Sequence, residues 1–483
     1  MFDQNPSVIQ ENEAPAAPDP SARTKWTALL RDALRGVEVD LTTLPVASGL
    51  VILAVPMILE MIMESVFAIV DVFWVAHLGA TAVATVGLTE SMMMIIYSVA
   101  MGMSIGAMAL VARRIGEKER DAASRTAVQS IMLGVFFAVV IGLIGGVFAP
   151  DLLRIMGADA AVIEKGSLFT RIMLGGNVTV FALFLINAIF RGAGAAVFAM
   201  RVLWLGNGLN IVLGPLFIFG WGPFPELGVA GAAVATNIGR GSAVLYQLYL
   251  LTRGRSQIKI ARKHLTLDLG VMWTVLTLSV SATVQMLISM TSYIGVMRIL
   301  SKFGSEPLAG YTIGFRILMF AILPAFGLSN AAATLVGQNL GAKRPDRAEE
   351  AAWRACYLSA AFLSCLGLIF WLAAPVMVGR FTSDATVLGY GVEYLRISSL
   401  GFPFYAFGMV LSQSFNGAGD TRTPTLINIG VFWVLQMPLA WVLSQTAGLG
   451  PRGVFITLAV CFSMFAAVSF VLFRRGRWKT VQV

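Results

Sequence analysis

Charged residues, histidine and cysteine are all scarce in this chain. Of its 483 residues, 13% are charged and 57% are hydrophobic, and there are two histidines and three cysteines. Soluble domains carry about 25% charged residues, so the composition excludes that class and indicates a polytopic membrane protein. The cysteines lie inside apolar segments without metal-ligand spacing, so neither a disulfide framework nor a thiolate metal site is predicted.

Motifs for nucleotide binding and hydrolysis are also missing. The sequence has no GxxxxGK[ST] and no Gly-Lys dipeptide, which excludes a P-loop, and it has no HExxH. GAGD at 417–420 matches the GxGD of intramembrane aspartyl proteases, which need a second membrane-embedded Asp. Asp420, however, precedes Thr-Arg-Thr-Pro, which is typical of a helix start. We therefore expect no enzyme and no metal.

Basic residues cluster in alternate loops, and each short cluster abuts an apolar segment. This pattern follows the positive-inside rule rather than nucleic-acid binding. It predicts a multi-pass protein of the plasma (inner) membrane with both termini in the cytoplasm. Residues 1–45 are predicted to form a disordered, Pro-rich cytoplasmic tail without a signal peptide, and an interfacial helix over 25–41.

Twelve apolar segments of membrane-spanning length follow. A basic cytoplasmic linker at 253–267 divides them into an N-terminal six-helix lobe at 46–252 and a C-terminal six-helix lobe at 268–475, and 476–483 form a cytoplasmic tail. The predicted spans are 46–76, 82–112, 124–149, 163–190, 197–220, 228–252, 268–300, 308–337, 348–375, 387–415, 423–446 and 453–474.

The two lobes match each other at a constant offset of 225 residues. SIGAMALVARRIGEKERDAA at 104–123 lies over SNAAATLVGQNLGAKRPDRA at 329–348, and the same offset pairs Asp159 with Asp384 and Gly228 with Gly453. This register indicates an internal duplication. Because each repeat holds an even number of spans, both have the same orientation. The predicted fold is an all-α integral membrane protein, with twelve transmembrane helices in two parallel six-helix repeats around a central cavity.

The first span carries three carboxylates, Glu60, Glu64 and Asp71. An α-helix turns about 100° per residue, which brings them within roughly 40° of one another. A charge at the bilayer centre costs about 2.5 to 3.5 kcal/mol on insertion scales, so this acidic stripe indicates an ion or substrate path. Alternatively, an acid pairs with a buried arginine or hydroxyl, or Glu60 and Glu64 only hydrate a cavity. The residues at the same positions of the second repeat are uncharged: Gln285, Ser289 and Val296.

Polar side chains accumulate in spans four to six of the N-terminal lobe: Asn177, Asn187, Asn207, Asn210, Thr236 and Asn237. Taken singly, each is better explained by an interhelical hydrogen bond worth under about 1 kcal/mol. As a group, they are candidate oxygen ligands or proton-bridging partners for the acidic stripe. The 23 methionines suit a cavity for varied apolar ligands, or simple gap filling.

Together these residues resemble the multidrug and toxic compound extrusion (MATE) family of cation-coupled antiporters. The resemblance covers about 46–475 and rests on VDVFWVAHLGATAVATVGL at 70–88, NAIFRGAG at 187–194, NIVLGPLFI at 210–218, LGVAGAAVAT at 227–236 and FNGAGDTRTP at 415–424. It implies two lobes that alternate between outward and inward openings. It also implies a coupling-cation acid at Asp71 with polar partners at Asn187, Asn210 and Thr236.

The function that the resemblance implies is secondary active efflux of organic, often cationic, compounds, with H⁺ or Na⁺ as coupling ion and no other cofactor. Prokaryotic members of the family carry an Asp four residues after the fifth-span Asn, and this chain has Gly214 at that position. Other branches carry an acid in the seventh helix, which is absent here, and the nearest polar residue is Gln285. We therefore expect proton coupling, unless Glu60 or Glu64 replaces the second acid. The expected partners are small molecules and the bilayer, and the expected functional unit is a monomer.

An alternative function is that of a flippase for a lipid-linked cell-envelope precursor. Pyrophosphate substrates call for several cavity arginines, for which Arg240 and Arg316 are the main candidates.

Overall fold

The computed structural model describes residues 20–36, 39–254 and 256–482, and within these ranges it contains helices and no strand. A π-helical segment at Ile429–Leu435 joins two short helices, and a second one at Val442–Thr446 extends them, so that one composite helix runs from Arg422 to Thr446. The helices are α1 (Pro20–Arg35), α2 (Val46–Ala76), α3 (Ala80–Gly116), α4 (Arg120–Val147), α5 (Ala149–Ile155), α6 (Ala160–Gly175), α7 (Val178–Gly192), α8 (Ala196–Phe219), α9 (Val229–Arg253), α10 (Leu269–Leu300), α11 (Ser305–Gly341), α12 (Pro345–Gly379), α13 (Ala385–Gly417), α14 (Arg422–Asn428), α15 (Gln436–Trp441) and α16 (Pro451–Arg474).

Eleven helical segments of the described residues are long and apolar enough to cross a membrane. The pair α6 and α7 counts as one of them, and so does the composite helix. The remaining predicted span is α9, a helix of 25 residues whose apolar run is interrupted by Arg240. The predicted all-α architecture is therefore confirmed, with helix ends within a few residues of the expected positions.

The helix predicted over 25–41 is displaced towards the N-terminus. α1 begins at Pro20 and ends at Arg35, because Gly36 adopts a left-handed φ of 76° that ends the helix. After the helix, Asp40 forms a turn in which its carboxylate accepts a hydrogen bond from the Thr42 hydroxyl at 2.6 Å. The disordered tail predicted before the helix falls largely on residues 1–19, which lie outside the described residues.

Corresponding helix ends recur in the two repeats. Asp159 caps α6 by accepting from the Val162 amide at 2.8 Å, and Asp384 caps α13 by accepting from the Val387 amide at 3.0 Å. Just beyond α3 and α11, Lys118 and Lys343 both have a positive φ, of 64° and 58°. The backbone therefore repeats the duplication that the sequence predicts.

The offset between the repeats nevertheless changes near the C-terminus, so the pairing of Gly228 with Gly453 is wrong. The glycine before α9 is Gly228, with a φ of 55°, and the glycine before α16 is Gly450, with a φ of 57°. Gly453 instead corresponds to Gly231, since a Cβ on either would overlap the backbone of the preceding helix. The π-helical turns of the second repeat accommodate an added residue. The loop after them is shorter than the corresponding loop of the first repeat, so the offset between the repeats changes.

The hydrophobic cores largely follow the lobes, although Val275 of α10 joins the N-terminal core, Ala196 of α8 joins a C-terminal one, and α2 is divided between them. Buried side chains of α3, α4, α7 and α8 form one cluster, and side chains of α10, α11 and α13 form another. The first half of α2, from Val46 to Met57, packs into a cluster with α11, α12 and α13. The second half of α2 packs against the N-terminal lobe. This helix therefore belongs to both cores.

The lobes are packed together on the side where α2 begins and α16 ends, which we call the terminal side. A Cβ on Gly116 of α3 would lie 2.0 Å from the carbonyl oxygen of Gln338 on α11. The Gln338 amide donates to the Gly192 carbonyl of the other lobe at 2.8 Å. Arg113 donates to the Val481 carbonyl at 2.9 Å, which ties the C-terminal tail to the N-terminal lobe. These contacts close the terminal side.

Candidate functional site

A cavity of about 550 Å³ lies between the two lobes, within the range of about 300 to 1,000 Å³ found for small-molecule sites. One wall comes from α2, α3 and α6 to α9, and the opposite wall from α10 and α11. Methionines and aromatic residues form much of the lining: Met61, Met93, Met94, Met101, Met108, Met173, Met286, Met290, Phe67, Tyr97, Phe169, Phe184 and Phe326. The ionisable residues of the lining are Glu60, Glu64, Asp71, Glu90, Tyr97, Arg191 and Arg240.

The three carboxylates of α2 all line this cavity, as their helical spacing predicts. Glu60 lies deepest and is 1% exposed. Its Oε1 forms a salt bridge with Arg191 Nη1 at 2.8 Å and accepts from Asn187 Nδ2 at 3.2 Å. Gln247 in turn donates to Asn187 Oδ1 at 2.7 Å. At Glu60 the geometry therefore matches the alternative in which an acid pairs with a buried arginine.

Glu64 and Asp71 have fewer partners than Glu60. Glu64 is half-buried, and its Oε2 accepts one hydrogen bond from Asn207 Nδ2 at 3.0 Å. Asp71 is also half-buried and receives no hydrogen bond from any residue that the structure describes. Arg240 and Glu90 lie close enough to interact with Asp71 electrostatically. Of the three acids, Asp71 is thus the most available to a ligand.

Two of the predicted polar partners meet each other close to this cavity. Asn210 of α8 donates to Thr236 Oγ1 of α9 at 2.9 Å, and Thr236 lines the cavity. Asn177 does not join them. It lies at the break between α6 and α7, where its amide donates to the Leu174 carbonyl at 2.8 Å. The grouping of Asn177 with the cavity residues is therefore wrong, because this amide stabilises a helix end.

Sequence reasoning missed Arg191, Glu90 and Tyr97 in this cavity. Arg191 lies in the last turn of α7, inside the motif NAIFRGAG, where a basic residue is expected at the membrane boundary. Glu90 lies on α3, in the second span, and so does not belong to the acidic stripe of the first span. The signal available for Glu90 is its place inside an apolar span, since a charge there is costly and calls for a partner or a role.

The same arrangement of two repeated helical lobes occurs in known proteins. A profile of the family MatE matches residues 56–216 and, a second time, residues 281–442. The chain belongs to the MatE family. The two matches begin one repeat apart, which agrees with the duplication and with the lobes of the structure.

Relatives of this MatE chain cover nearly its whole length. It is 25% identical to the probable multidrug resistance protein YoeA of Bacillus subtilis, over 89% of this chain and 93% of the relative. It is 26% identical to the probable multidrug resistance protein NorM of Thermotoga maritima, over 89% and 92% of the two chains. A solved outward-facing multidrug resistance MATE family transporter is similar with a TM-score of 0.86, 27% identity and coverage of 92% and 99%. The fold is thus that of a MATE membrane transporter.

Proposed function

We propose that this chain is a secondary active multidrug efflux transporter, which exchanges outward movement of organic, often cationic, compounds for inward movement of a cation. The observation that carries the proposal is Asp71, a half-buried carboxylate without a described hydrogen-bond donor in an apolar cavity between the lobes. Such a group inside a membrane is costly and marks an ion or substrate path. Methionine side chains adapt to ligands of varied shape. The names of YoeA and NorM support the same function.

The coupling ion that we favour is the proton, with Asp71 as its carrier. Gly214 supplies no carboxylate at the position where an Asp is implied by the resemblance, so oxygen ligands for sodium are fewer. Protonation of Asp71 removes the negative charge that attracts a cationic compound, so proton and compound compete for one group. A ligand shifts a conformational equilibrium only through its different affinities for the two states. Competition at Asp71 therefore couples the two fluxes, with Asn210 and Thr236 as neighbouring polar partners.

The closed terminal side fits an outward-facing state if that side faces the cytoplasm. The basic loops favour this orientation through the positive-inside rule, with both termini inside. Similarity to an outward-facing transporter agrees with it. Because one chain supplies both walls of the cavity, the proposed functional unit is a monomer in the plasma membrane, with no cofactor other than the coupling ion.

The test is efflux of a fluorescent organic cation from proteoliposomes under an imposed proton gradient or sodium gradient. Wild type is expected to respond to the proton gradient, and Asp71→Asn is expected to lose this response. Asp151→Asn is a matched control, because Asp151 pairs with Arg154 at the surface, 2.7 Å away and outside the cavity. Full-rate, proton-driven transport by Asp71→Asn would contradict the role of Asp71. Sodium-driven transport by the wild type would make Glu60 or Glu64 the replacement ligand.

If neither gradient drives efflux, the result would favour the alternative function, flippase activity on a lipid-linked precursor. The arginines among the described cavity residues are Arg191 and Arg240, whereas Arg316 is not part of the lining. Arg191 is neutralised by Glu60. A single available arginine provides little for a pyrophosphate group, so the geometry favours efflux.

A further inference from the structure

An apolar groove lies outside the central cavity, on the surface of the C-terminal lobe. It has a volume of about 530 Å³ and runs between the composite helix and α16. Its floor is formed by the buried side chains of Phe415, Ile427 and Val431, and its rims by the exposed residues Leu426, Gly430 and Met464. Because both helices cross the membrane, these exposed rims face lipid rather than water.

Gly430 keeps this groove open. It lies in the π-helical segment Ile429–Leu435, and a Cβ built on it would meet no atom within 4 Å. A glycine inside a helix is destabilising relative to alanine, and no neighbouring atom requires a glycine here. A larger side chain would fit at this position and would fill the groove. The space above Gly430 is therefore available to a ligand.

Two arginines, Arg475 and Arg477, line the end of the groove on the terminal side. α16 ends just before Arg475, and Gly476, with a left-handed φ of 71°, turns the chain back. The turn is fixed by Trp478, which is fully buried and stacks on Phe473 with ring centroids 4.5 Å apart. The tail thus brings Arg477 to the same end of the groove as Arg475.

The charges of these two arginines are not neutralised by any carboxylate of the described residues. The nearby Lys479, by contrast, forms a salt bridge with Glu349. Asp420 also lines the groove, but its two oxygens accept hydrogen bonds from the Thr423 amide at 3.1 Å and the Thr423 hydroxyl at 2.6 Å. This end of the groove therefore carries two unpaired cations and one acid that is already hydrogen-bonded.

The length of the groove matches one leaflet of a bilayer. Met464 and Arg475 both line it, and at a rise of 1.5 Å per residue the helix between them is roughly 16 Å long. Half of a hydrocarbon core about 30 Å thick is about 15 Å. The positive-inside rule alone explains basic residues at the end of a span. It does not explain an open apolar groove of one-leaflet length that begins at them.

We propose that this groove binds an anionic phospholipid, with the lipid phosphate on Arg475 and Arg477 and one acyl chain between the composite helix and α16. Basic pockets between transmembrane helices bind anionic headgroups, and guanidinium groups bind phosphate through paired, charge-assisted hydrogen bonds. The site is separate from the central cavity. It does not depend on which compound or ion the cavity binds.

The experiment compares two lipids that share their acyl chains and differ in headgroup. Dioleoylphosphatidylglycerol is anionic, and dioleoylphosphatidylcholine is zwitterionic. Native mass spectrometry of the detergent-solubilised full chain measures the dissociation constant of the first bound lipid, for wild type and for Arg475→Gln combined with Arg477→Gln. The matched control combines Arg31→Gln with Arg354→Gln, which removes two exposed charges of the terminal side outside the groove.

Wild type is expected to bind phosphatidylglycerol at least about tenfold more tightly than phosphatidylcholine, the difference that one charge-assisted hydrogen bond provides. Loss of Arg475 and Arg477 is expected to reduce the affinity for phosphatidylglycerol to that for phosphatidylcholine. Binding of phosphatidylcholine is expected to stay unchanged, which also shows that the variant is folded. The control with Arg31 and Arg354 replaced is expected to keep the preference of wild type.

The acyl chain is tested at Gly430. Gly430→Leu is expected to weaken binding of both lipids alike, because its side chain takes the place of the chain that they share. Gly430→Ala is expected to have the same effect to a smaller extent, and it decides the matter if Gly430→Leu does not fold. Gly389→Leu is the control, since a Cβ there also meets no atom within 4 Å and Gly389 lies outside the groove.

Three results would overturn the inference. The first is a preference for phosphatidylglycerol that survives the loss of both groove arginines, or that the control loses equally. The second is lipid binding that neither Gly430 variant weakens. The third is a dimer of wild type that Gly430→Leu abolishes, since a second copy of this chain would then occupy the groove. None of these results bears on efflux, so the proposed function is tested separately.

Discussion

Gly116 and Gly341 occupy equivalent positions in the two repeats and bring the backbones of the two lobes into contact. A Cβ on Gly116 would lie 2.0 Å from the Gln338 carbonyl oxygen, and a Cβ on Gly341 would lie 2.2 Å from the Arg113 carbonyl oxygen. Both contacts are with backbone atoms, which cannot rotate away as a side chain can. The closed terminal side therefore depends on glycine at both positions.

Gly341→Ala is expected to destabilise the closed terminal side. Overpacking costs about 1 to 3 kcal/mol, which corresponds to about a 5- to 150-fold shift towards the state with that side open. The shift is measured with a single cysteine at Met108, in a background without native cysteines, through its labelling by an impermeant maleimide added from the terminal side. Gly389→Ala is the control, because no atom lies within 4 Å of a Cβ at Gly389. Equal labelling in both variants would show that the contact does not hold the lobes closed.

Arg191→Gln is expected to lower stability more than the double change Glu60→Gln with Arg191→Gln. Removal of one partner of a buried ion pair costs about 3 to 5 kcal/mol, because the other charge is left buried and unpaired. Glu60 is 1% exposed and has no other cation within salt-bridge distance among the described residues. The check is the melting temperature of the detergent-solubilised protein. A double variant no more stable than the single one would mean that Arg191 acts through packing alone.

Gly214→Asp is expected to make transport responsive to sodium. A Cβ at Gly214 would meet only Trp74 Cδ1, at 3.8 Å, so a side chain fits there. The Trp74 indole N–H is buried without a partner among the described residues and can donate to the new carboxylate. Trp74 lies one helical turn from Asp71, so the variant brings a second acid towards the first. Efflux driven by a sodium gradient is the measurement, and Gly214→Asn, which lacks the charge, is the control that should remain unresponsive.

Trp478→Ala is expected to destabilise the C-terminal tail and the closed terminal side. Trp478 is fully buried and stacks on Phe473 with ring centroids 4.5 Å apart. Truncation of such a residue costs about 3 to 5 kcal/mol, and the tail also carries the Val481 carbonyl that Arg113 binds. Limited proteolysis from the terminal side should cleave the variant faster near residue 475 than it cleaves wild type. Trp273→Ala serves as control, because Trp273 is 70% exposed.

The sequence predicted the helices and the acidic stripe well, because both follow from local patterns. Apolar length defines each span, and a rotation of about 100° per residue puts Glu60, Glu64 and Asp71 on one face. The repeats were visible because one offset of 225 residues relates the first spans of the two lobes and pairs Asp159 with Asp384. The spans and the acidic stripe can each be recognised within one segment of the sequence, and the repeats follow from a single offset between the two lobes.

What the sequence could not supply was the pairing of residues that are distant along the chain. Glu60 and Arg191 are separated by 131 positions, and no local pattern indicates that one neutralises the other. The place of Asn177 depends on a break in the fourth span, which its apolar composition conceals. The change of register before Gly450 depends on π-helical turns, whose residues look like those of any apolar helix.

The division of α2 between two cores has a mechanical consequence. Residues from Val46 to Met57 are anchored in one lobe, and the acids begin at Glu60, one turn further along. The proposed transport cycle requires the lobes to move relative to each other, which α2 cannot follow as a rigid rod, and Pro56, which lacks an amide hydrogen, is the position at which we expect it to bend. The three carboxylates all lie on the part of α2 that follows Pro56. In that cycle, a bend at Pro56 would change the position of Asp71 relative to the C-terminal lobe.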